Sequence, residues 1–128
     1  MEINKLEASH ARIAIIIARF NAFINKNLLN GAVSTLKRVG QLEHNNIHTI
    51  WVPGAVIKGE TFHFEIISRD LNLIISNMSI KNNIPIISSI LYLNNVQQGI
   101  DRSGAKFGNR GSDAALSLLE MINLLKNI

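Results

Sequence analysis

The chain has 128 residues, of which 47% are hydrophobic, 17% charged and 5% aromatic, with a formal net charge of +4 and no cysteine. That size and balance predict a single domain over 1–128 with an aliphatic core, and they exclude a disordered chain. The lack of cysteine excludes disulfides and thiolate metal sites, and no apolar run approaches the ~20 residues of a membrane span.

The N-terminus, "MEINKLEASHAR", has no apolar region of the secretory kind, so a cytoplasmic protein is expected. Arg12 to Ala18, "RIAIIIA", is a short, β-branched apolar run that predicts a strand buried on both faces. After the loop "RFNAFINK", Leu28, Leu29, Ala32, Val33 and Leu36 repeat at helical spacing. Lys37 and Arg38 suit the last turn of that helix, and Gly40 is a stop. Ile47 to Val52 predicts a second strand, ended by Pro53-Gly54.

Ile67, Leu71, Ile74, Ile75 and Met78 then mark a helix face, and Ile84 to Leu91 reads as a third buried strand. Asn94 or Asn95 caps a short helix carrying Val96 and Ile100. Gly104, Gly108 and Gly111 punctuate a loop, and Ser112 caps a final helix with Ala115, Leu118, Leu119, Ile122 and Leu125 on one face. The alternation predicts an α/β fold, a parallel sheet covered by helices in three layers. Ligands of such sheets bind beyond the carboxyl ends of the strands, here Arg19-Phe20-Asn21, Pro53-Gly54-Ala55 and Leu91-Tyr92-Leu93.

Several residues near those ends have useful chemistry. Gly59, Glu60 and Thr61 stand at a predicted helix start, where free N–H groups and the helix dipole favour a phosphate. A plain N-cap role for Thr61 fits the same residues. His63 follows, and an unperturbed imidazole titrates near pH ~6.5, which suits proton transfer. A surface histidine is the alternative. Arg102, Lys106 and Arg110 bracket the glycine-rich loop and suit an anion, or are simply a solvated basic loop. Phe20 suits stacking on a flat heterocycle, or a core or interface position. Nucleic-acid binding would call for more basic residues with aromatics between them, and only Phe107 lies among these.

Taken together, "ARIAIIIARFNAFINKNLLNGAVSTLKRVG", "WVPGA", "VIKGETFHFE", "IPI", "DRSGAKFGNRG" and "AALSLLEMINLLKNI" resemble the lumazine synthases in order and nearly end to end, the bacterial form above all. The resemblance implies a flavodoxin-like αβα fold and a condensation without cofactor or metal. It joins a ribitylaminouracil to dihydroxybutanone phosphate and gives 6,7-dimethyl-8-ribityllumazine, in riboflavin synthesis. By resemblance Phe20 stacks on the pyrimidine, and Ala55 touches the ribityl chain. Val56, Ile57 and Lys58 belong to the substrate-binding stretch, with Val56 and Ile57 meeting the ring through backbone groups. Gly59, Glu60 and Thr61 bind the phosphate, His63 is the general acid/base, and Arg102 grips the phosphate from a neighbouring subunit. Lys106 and Arg110 are basic positions near that site, Arg110 standing where lysine is usual. The resemblance also implies a homo-oligomer, a pentamer or a shell of sixty subunits, with small-molecule partners and no membrane or nucleic acid.

The chain departs from the family pattern at one place above all. In the family, "VPGA" continues into a helix and a further strand before "VIxG", whereas here Ala55 runs directly into Val56. Roughly two dozen residues are missing, about one crossover helix plus one strand. The family's ribityl-contacting glutamate therefore has no counterpart, and the sheet is expected to be one strand smaller, with the third strand in the vacated place beside the first. Ser88 replaces an aromatic of the pocket wall, and Tyr92-Leu93 replaces a threonine pair. Gly99 stands inside the short helix where alanine is usual, a cost of ~1 kcal/mol. Alternatives to a working synthase are a degraded homologue without turnover and a basic nucleic-acid-binding α/β protein.

Overall fold

A computed structural model describes residues 6–19, 22–53, 63–88 and 108–126. In chain order these form β1 (Ile13–Ala18), α1 (Ala22–Arg38), a 3-10 turn (His44–Asn46), β2 (Ile47–Val52), α2 (His63–Asn82) and α3 (Arg110–Lys126). The two strands pair in parallel, from Ile13 opposite Ile47 to Ala18 opposite Val52. Parallel neighbours need a crossover, and α1 supplies it. The expected α/β arrangement is therefore present. Among the described residues no helix is long and apolar enough to cross a membrane.

One face of the sheet carries the core. Ile13 and Ile47 pack with Leu36 of α1, Ala115 and Leu119 of α3, and Ala8 and Leu42 from the flanking segments. Leu36 and Leu119 are the largest fully buried side chains. Truncating such a leucine removes its transfer energy and leaves a cavity, so Leu119→Ala is expected to cost about 2–5 kcal/mol. A fall in the urea midpoint with an unchanged slope is the check.

The other face differs from expectation. Ile16 and Ile50, cross-strand partners, are 69% and 49% exposed. α1 and α3 both join the core cluster through the face of Ile13 and Ile47, and among the described residues nothing covers the second face to the same degree. The all-apolar run of β1 was expected to be buried on both sides; here only alternate residues are.

Helix α1 ends as its charges predict, with Lys37 and Arg38 in the last turn, but the stop works differently. The left-handed residue is Gln41, at φ 58°. Gly40 serves packing: a Cβ there would lie 2.7 Å from Leu119 Cδ2 and 2.7 Å from the Leu36 carbonyl oxygen. Its carbonyl accepts from Ala8 N–H at 2.9 Å, which ties the N-terminal segment to the helix end. Within that segment Glu7 accepts from the Ser9 hydroxyl and from Ser9 N–H, at 2.8 Å for the latter, and these bonds hold its carboxyl below the usual range.

Helix α2 ends in a Schellman motif. Asn83 takes φ 53°, its N–H donates to Ile80 at 3.4 Å, and Ile84 N–H donates to the Ser79 carbonyl at 3.3 Å. The Ser79 hydroxyl then donates back to the Ile84 carbonyl at 2.7 Å. Both polar backbone groups of Ile84 are thus committed to the helix end. The third strand expected over Ile84–Leu91 is accordingly not formed at residues 84–88, which have no sheet partner among the described residues. Residues 89–91, the short helix of Val96 and Ile100, and Tyr92, Leu93 and Gly99 lie outside the described residues. β1 pairs with β2 alone among those residues, so no strand is seen in the vacated place.

Helix α2 is apolar on two sides. Ile74 and Met78 share one face with Leu71 and Ile75, while Leu73 and Ile80 lie on the opposite one; 74, 78, 73 and 80 are all exposed. Exposed apolar residues on two sides of one helix favour burial against further protein surface.

Helix α3 begins at Arg110, and its cap is Asn109 rather than Ser112. Asn109 Oδ1 accepts from Gly111 N–H at 2.8 Å and Ser112 N–H at 3.1 Å. Its Nδ2 donates to the Asn27 carbonyl in α1 at 2.8 Å. One side chain thus starts α3 and fixes it to α1. Asn109→Ala is expected to cost about 0.5–2 kcal/mol from the cap alone, which thermal unfolding measures. Gly111, expected in the loop, lies in the first turn of α3, where it meets the Leu28 carbonyl of α1.

Candidate active site at the strand ends

The contacts above fix where a site can form. Asn109 and Gly111 meet Asn27 and Leu28 near the start of α1, while Leu119 meets Leu36 and Gly40 near its end. α1 and α3 therefore run side by side in the same direction. α1 returns from the carboxyl end of β1 to the start of β2, so both helices begin at the carboxyl edge of the sheet. The ends of β1 and β2 and the first turns of α1 and α3 gather at one edge, the edge where parallel sheets bind ligands.

At that edge the ladder extends one residue beyond the strands, with Arg19 N–H donating to the Val52 carbonyl at 2.8 Å. Asn25 Nδ2 donates to the Ala18 carbonyl at 2.6 Å. Arg19, Phe20 and Asn21 are all that join β1 to α1. Pro53 follows β2 at the same level.

Of the residues expected to form the site, three fall among those described. His63 is the first residue of α2, where its backbone alone is described. Ser88 is exposed, in the segment after α2. Arg110, expected in a loop, is instead the first residue of α3 and exposed. Phe20, Ala55, Val56, Ile57, Lys58, Gly59, Glu60, Thr61, Arg102 and Lys106 lie outside the described residues. What the structure supplies is their mounting: β1 and α1 bracket Phe20, β2 and α2 bracket 54–62, and Asn109 with α3 ends the chain segment of Arg102 and Lys106. Asn25 and Asn109 were not singled out from the sequence. Asn109, three positions ahead of Ser112, was a readable cap; nothing local marked Asn25.

A parallel sheet with its crossover helix, and with helix starts collected at the carboxyl edge, defines an α/β protein. The chain belongs to the 6,7-dimethyl-8-ribityllumazine synthase family, whose family model matches it in two segments, residues 10–56 and 54–126. It is 53% identical to the 6,7-dimethyl-8-ribityllumazine synthase of Wigglesworthia glossinidia brevipalpis, over 97% of this chain and 96% of that one. It is 45% identical to the enzyme of the same name from Buchnera aphidicola subsp. Acyrthosiphon pisum (96% and 92% covered) and 41% identical to that of Blochmanniella pennsylvanica (94% and 92%).

The form of the match locates the departure. Gly54, Ala55 and Val56 are claimed by both segments, so the same three residues correspond to two places in the family. The alignment to the Wigglesworthia protein runs over 148 positions, although this chain has 128 residues, so at least 20 of those positions have no residue here. The two matched segments meet at Gly54–Val56, the place where the family pattern was expected to continue into a further helix and strand.

Proposed function

We propose that the chain, as a single domain over 1–128, is a lumazine synthase: it condenses 5-amino-6-(D-ribitylamino)uracil with 3,4-dihydroxy-2-butanone 4-phosphate to 6,7-dimethyl-8-ribityllumazine. The observation that carries this is the two-segment family match over 10–126, which retains the stretch from Gly59 to His63 and the segment of Arg102 and Lys106. In this reading Phe20 stacks on the uracil ring, and Val56, Ile57 and Lys58 line it. Gly59, Glu60, Thr61, Arg102 and Lys106 hold the phosphate. The ring amine attacks the ketone, water leaves to give an imine, phosphate is eliminated, and ring closure with loss of a second water completes the product. Each step moves protons around a leaving phosphate, and His63 is the group to move them. No step requires a cofactor or a metal.

The homo-oligomer is part of the proposal. Exposed Ile16 and Ile50 on the sheet and the two apolar sides of α2 favour burial against further protein surface. Assembly as a pentamer or a sixty-subunit shell would also let Arg102 serve the neighbour's site. Sedimentation well above the mass of one chain is the expected result. The deciding assay mixes purified chain with both substrates and follows lumazine formation. Product in proportion to protein supports the synthase; none at high protein concentration supports the degraded homologue instead.

A further inference from the structure

Successive residues of a strand turn their backbone groups to opposite edges. Arg19 N–H meets the Val52 carbonyl, so the odd-numbered residues of β1 bond to β2. Ala14, Ile16 and Ala18 turn their N–H and C=O groups to the outer edge. There the Ala18 carbonyl is engaged by Asn25 Nδ2 at 2.6 Å. Among the described residues no hydrogen bond reaches Ala14 or Ile16 on that side. Ala14 is exposed, and Ile16 is 69% exposed. The usual guards of an edge are missing, since β1 holds no charge and no proline. Residues 84–88, expected to begin a third strand, do not cover it: Ile84 is committed to the end of α2, and Pro85 has no N–H to offer.

We propose that this edge pairs with the same edge of a second copy of the chain, antiparallel across a two-fold axis through Ile15. Asn25 sets the register. With the Ala18 carbonyl engaged, the free groups are those of Ala14 and Ile16, and this axis lets Ala14 of each copy exchange both its backbone bonds with Ile16 of the other. On the exposed face a large side chain then lies beside a small one, and on the core face Ile15 meets Ile15, a β-branched cross-strand pair. Charge agrees with self-pairing: Arg12 falls opposite Ala18 and Arg19 opposite Ala11, so no like charges meet. The product is one continuous sheet in the order β2-β1-β1-β2. The contact goes beyond the synthase reading and stands whether or not the chain makes lumazine.

The test places single cysteines in the full chain, which has none of its own. Diamide is the oxidant, and a non-reducing denaturing gel reads the two-chain product whatever the size of the assembly. Ala14→Cys and Ile16→Cys both change exposed positions. Mixed together, they face each other at about 5.5 Å between Cα atoms, within disulfide reach, whereas in either variant alone the two thiols are out of register and beyond it. The mixture is expected to crosslink about tenfold faster than either variant alone, since paired thiols meet at a raised effective concentration. Ile50→Cys, on the same exposed face but on β2, is expected to be as slow as the single variants. A mixture no faster than its parts would overturn the proposal, whether the edge stays free or another segment of the same chain fills it. Ile50→Cys as fast as the mixture would overturn it too, because the copies would then meet face to face. Should either variant fail to fold, Ile15→Cys carries the test: the axis sets it opposite itself, so it must crosslink unmixed, and failure to do so overturns the proposal.

Discussion

Replacing His63 by alanine is expected to lower kcat by about 10²- to 10⁴-fold, the usual contribution of one positioned acid/base. His63 opens α2, and the chain between β2 and this helix also carries Gly59, Glu60 and Thr61. The proposed acid/base and the proposed phosphate ligands therefore lie close together in sequence, between β2 and the first residue of α2. The loss should fall on kcat with little change in either KM, because in the proposed mechanism the imidazole moves protons and holds neither substrate. Arg102→Ala should do the reverse. Loss of a charge-assisted grip of ~1.5–3 kcal/mol raises KM for the phosphorylated ketone roughly 10- to 100-fold. If His63→Ala turns over at the original rate in steady-state assays, another group moves the protons.

Gly111→Ala is the second large effect, and two principles disagree about its sign. Alanine is the better helix former by as much as ~1 kcal/mol, so propensity alone predicts stabilisation. Packing predicts the opposite. A Cβ at Gly111 would overlap the Leu28 carbonyl oxygen, lie 2.7 Å from the Leu28 carbonyl carbon, and press on Asn109 Oδ1 at 3.0 Å. The first two neighbours are backbone and have nowhere to turn, so α1 and α3 must separate. Separation also stretches the Asn109 bond to Asn27. Overpacking of this kind costs about 1–3 kcal/mol or more, and packing is expected to win. The variant should melt lower, by several degrees for a domain of this size. A variant that melts at or above the original would mean that the two helices are not in contact at this point.

Gly111 also shows what could and could not be read in advance. Helix α1, strand β2 and the apolar face of α3 follow from spacing and end signals, because those signals are local. Gly111 was assigned to a loop because a glycine after "FGNR" is a turn signal; its actual reason, the Leu28 carbonyl, is far away in the chain. Ile84 to Ser88 has the composition of a strand, but a strand needs a neighbour, and Asn83 commits the backbone of Ile84 to the end of α2. The exposed face of β1 has the same origin: "IAIIIA" states that apolar cover is wanted on both sides, not that the described elements supply it. The proposed site rests on a different kind of signal. Phe20, His63 and Arg102 each carry an ordinary alternative taken singly, and only the motifs in series point to one reaction. Asn25 was not legible at all, since an asparagine near a helix start has many uses and only the fold brings it to Ala18.

The seam at Gly54–Val56 is where this chain departs most from its family. Both family segments claim it. In the proposed function the phosphate and acid/base half of the site is retained in the sequence and the ribityl half is truncated. The most direct test is to restore the missing module at Ala55–Val56 from the Wigglesworthia protein and measure KM for each substrate before and after. Regaining a buried polar contact of ~1–3 kcal/mol predicts a KM for the ribitylaminouracil lower by about 10- to 100-fold, with KM for the phosphorylated ketone unchanged. Equal changes for both substrates, or none for the ribitylaminouracil in a folded, active protein, would contradict it.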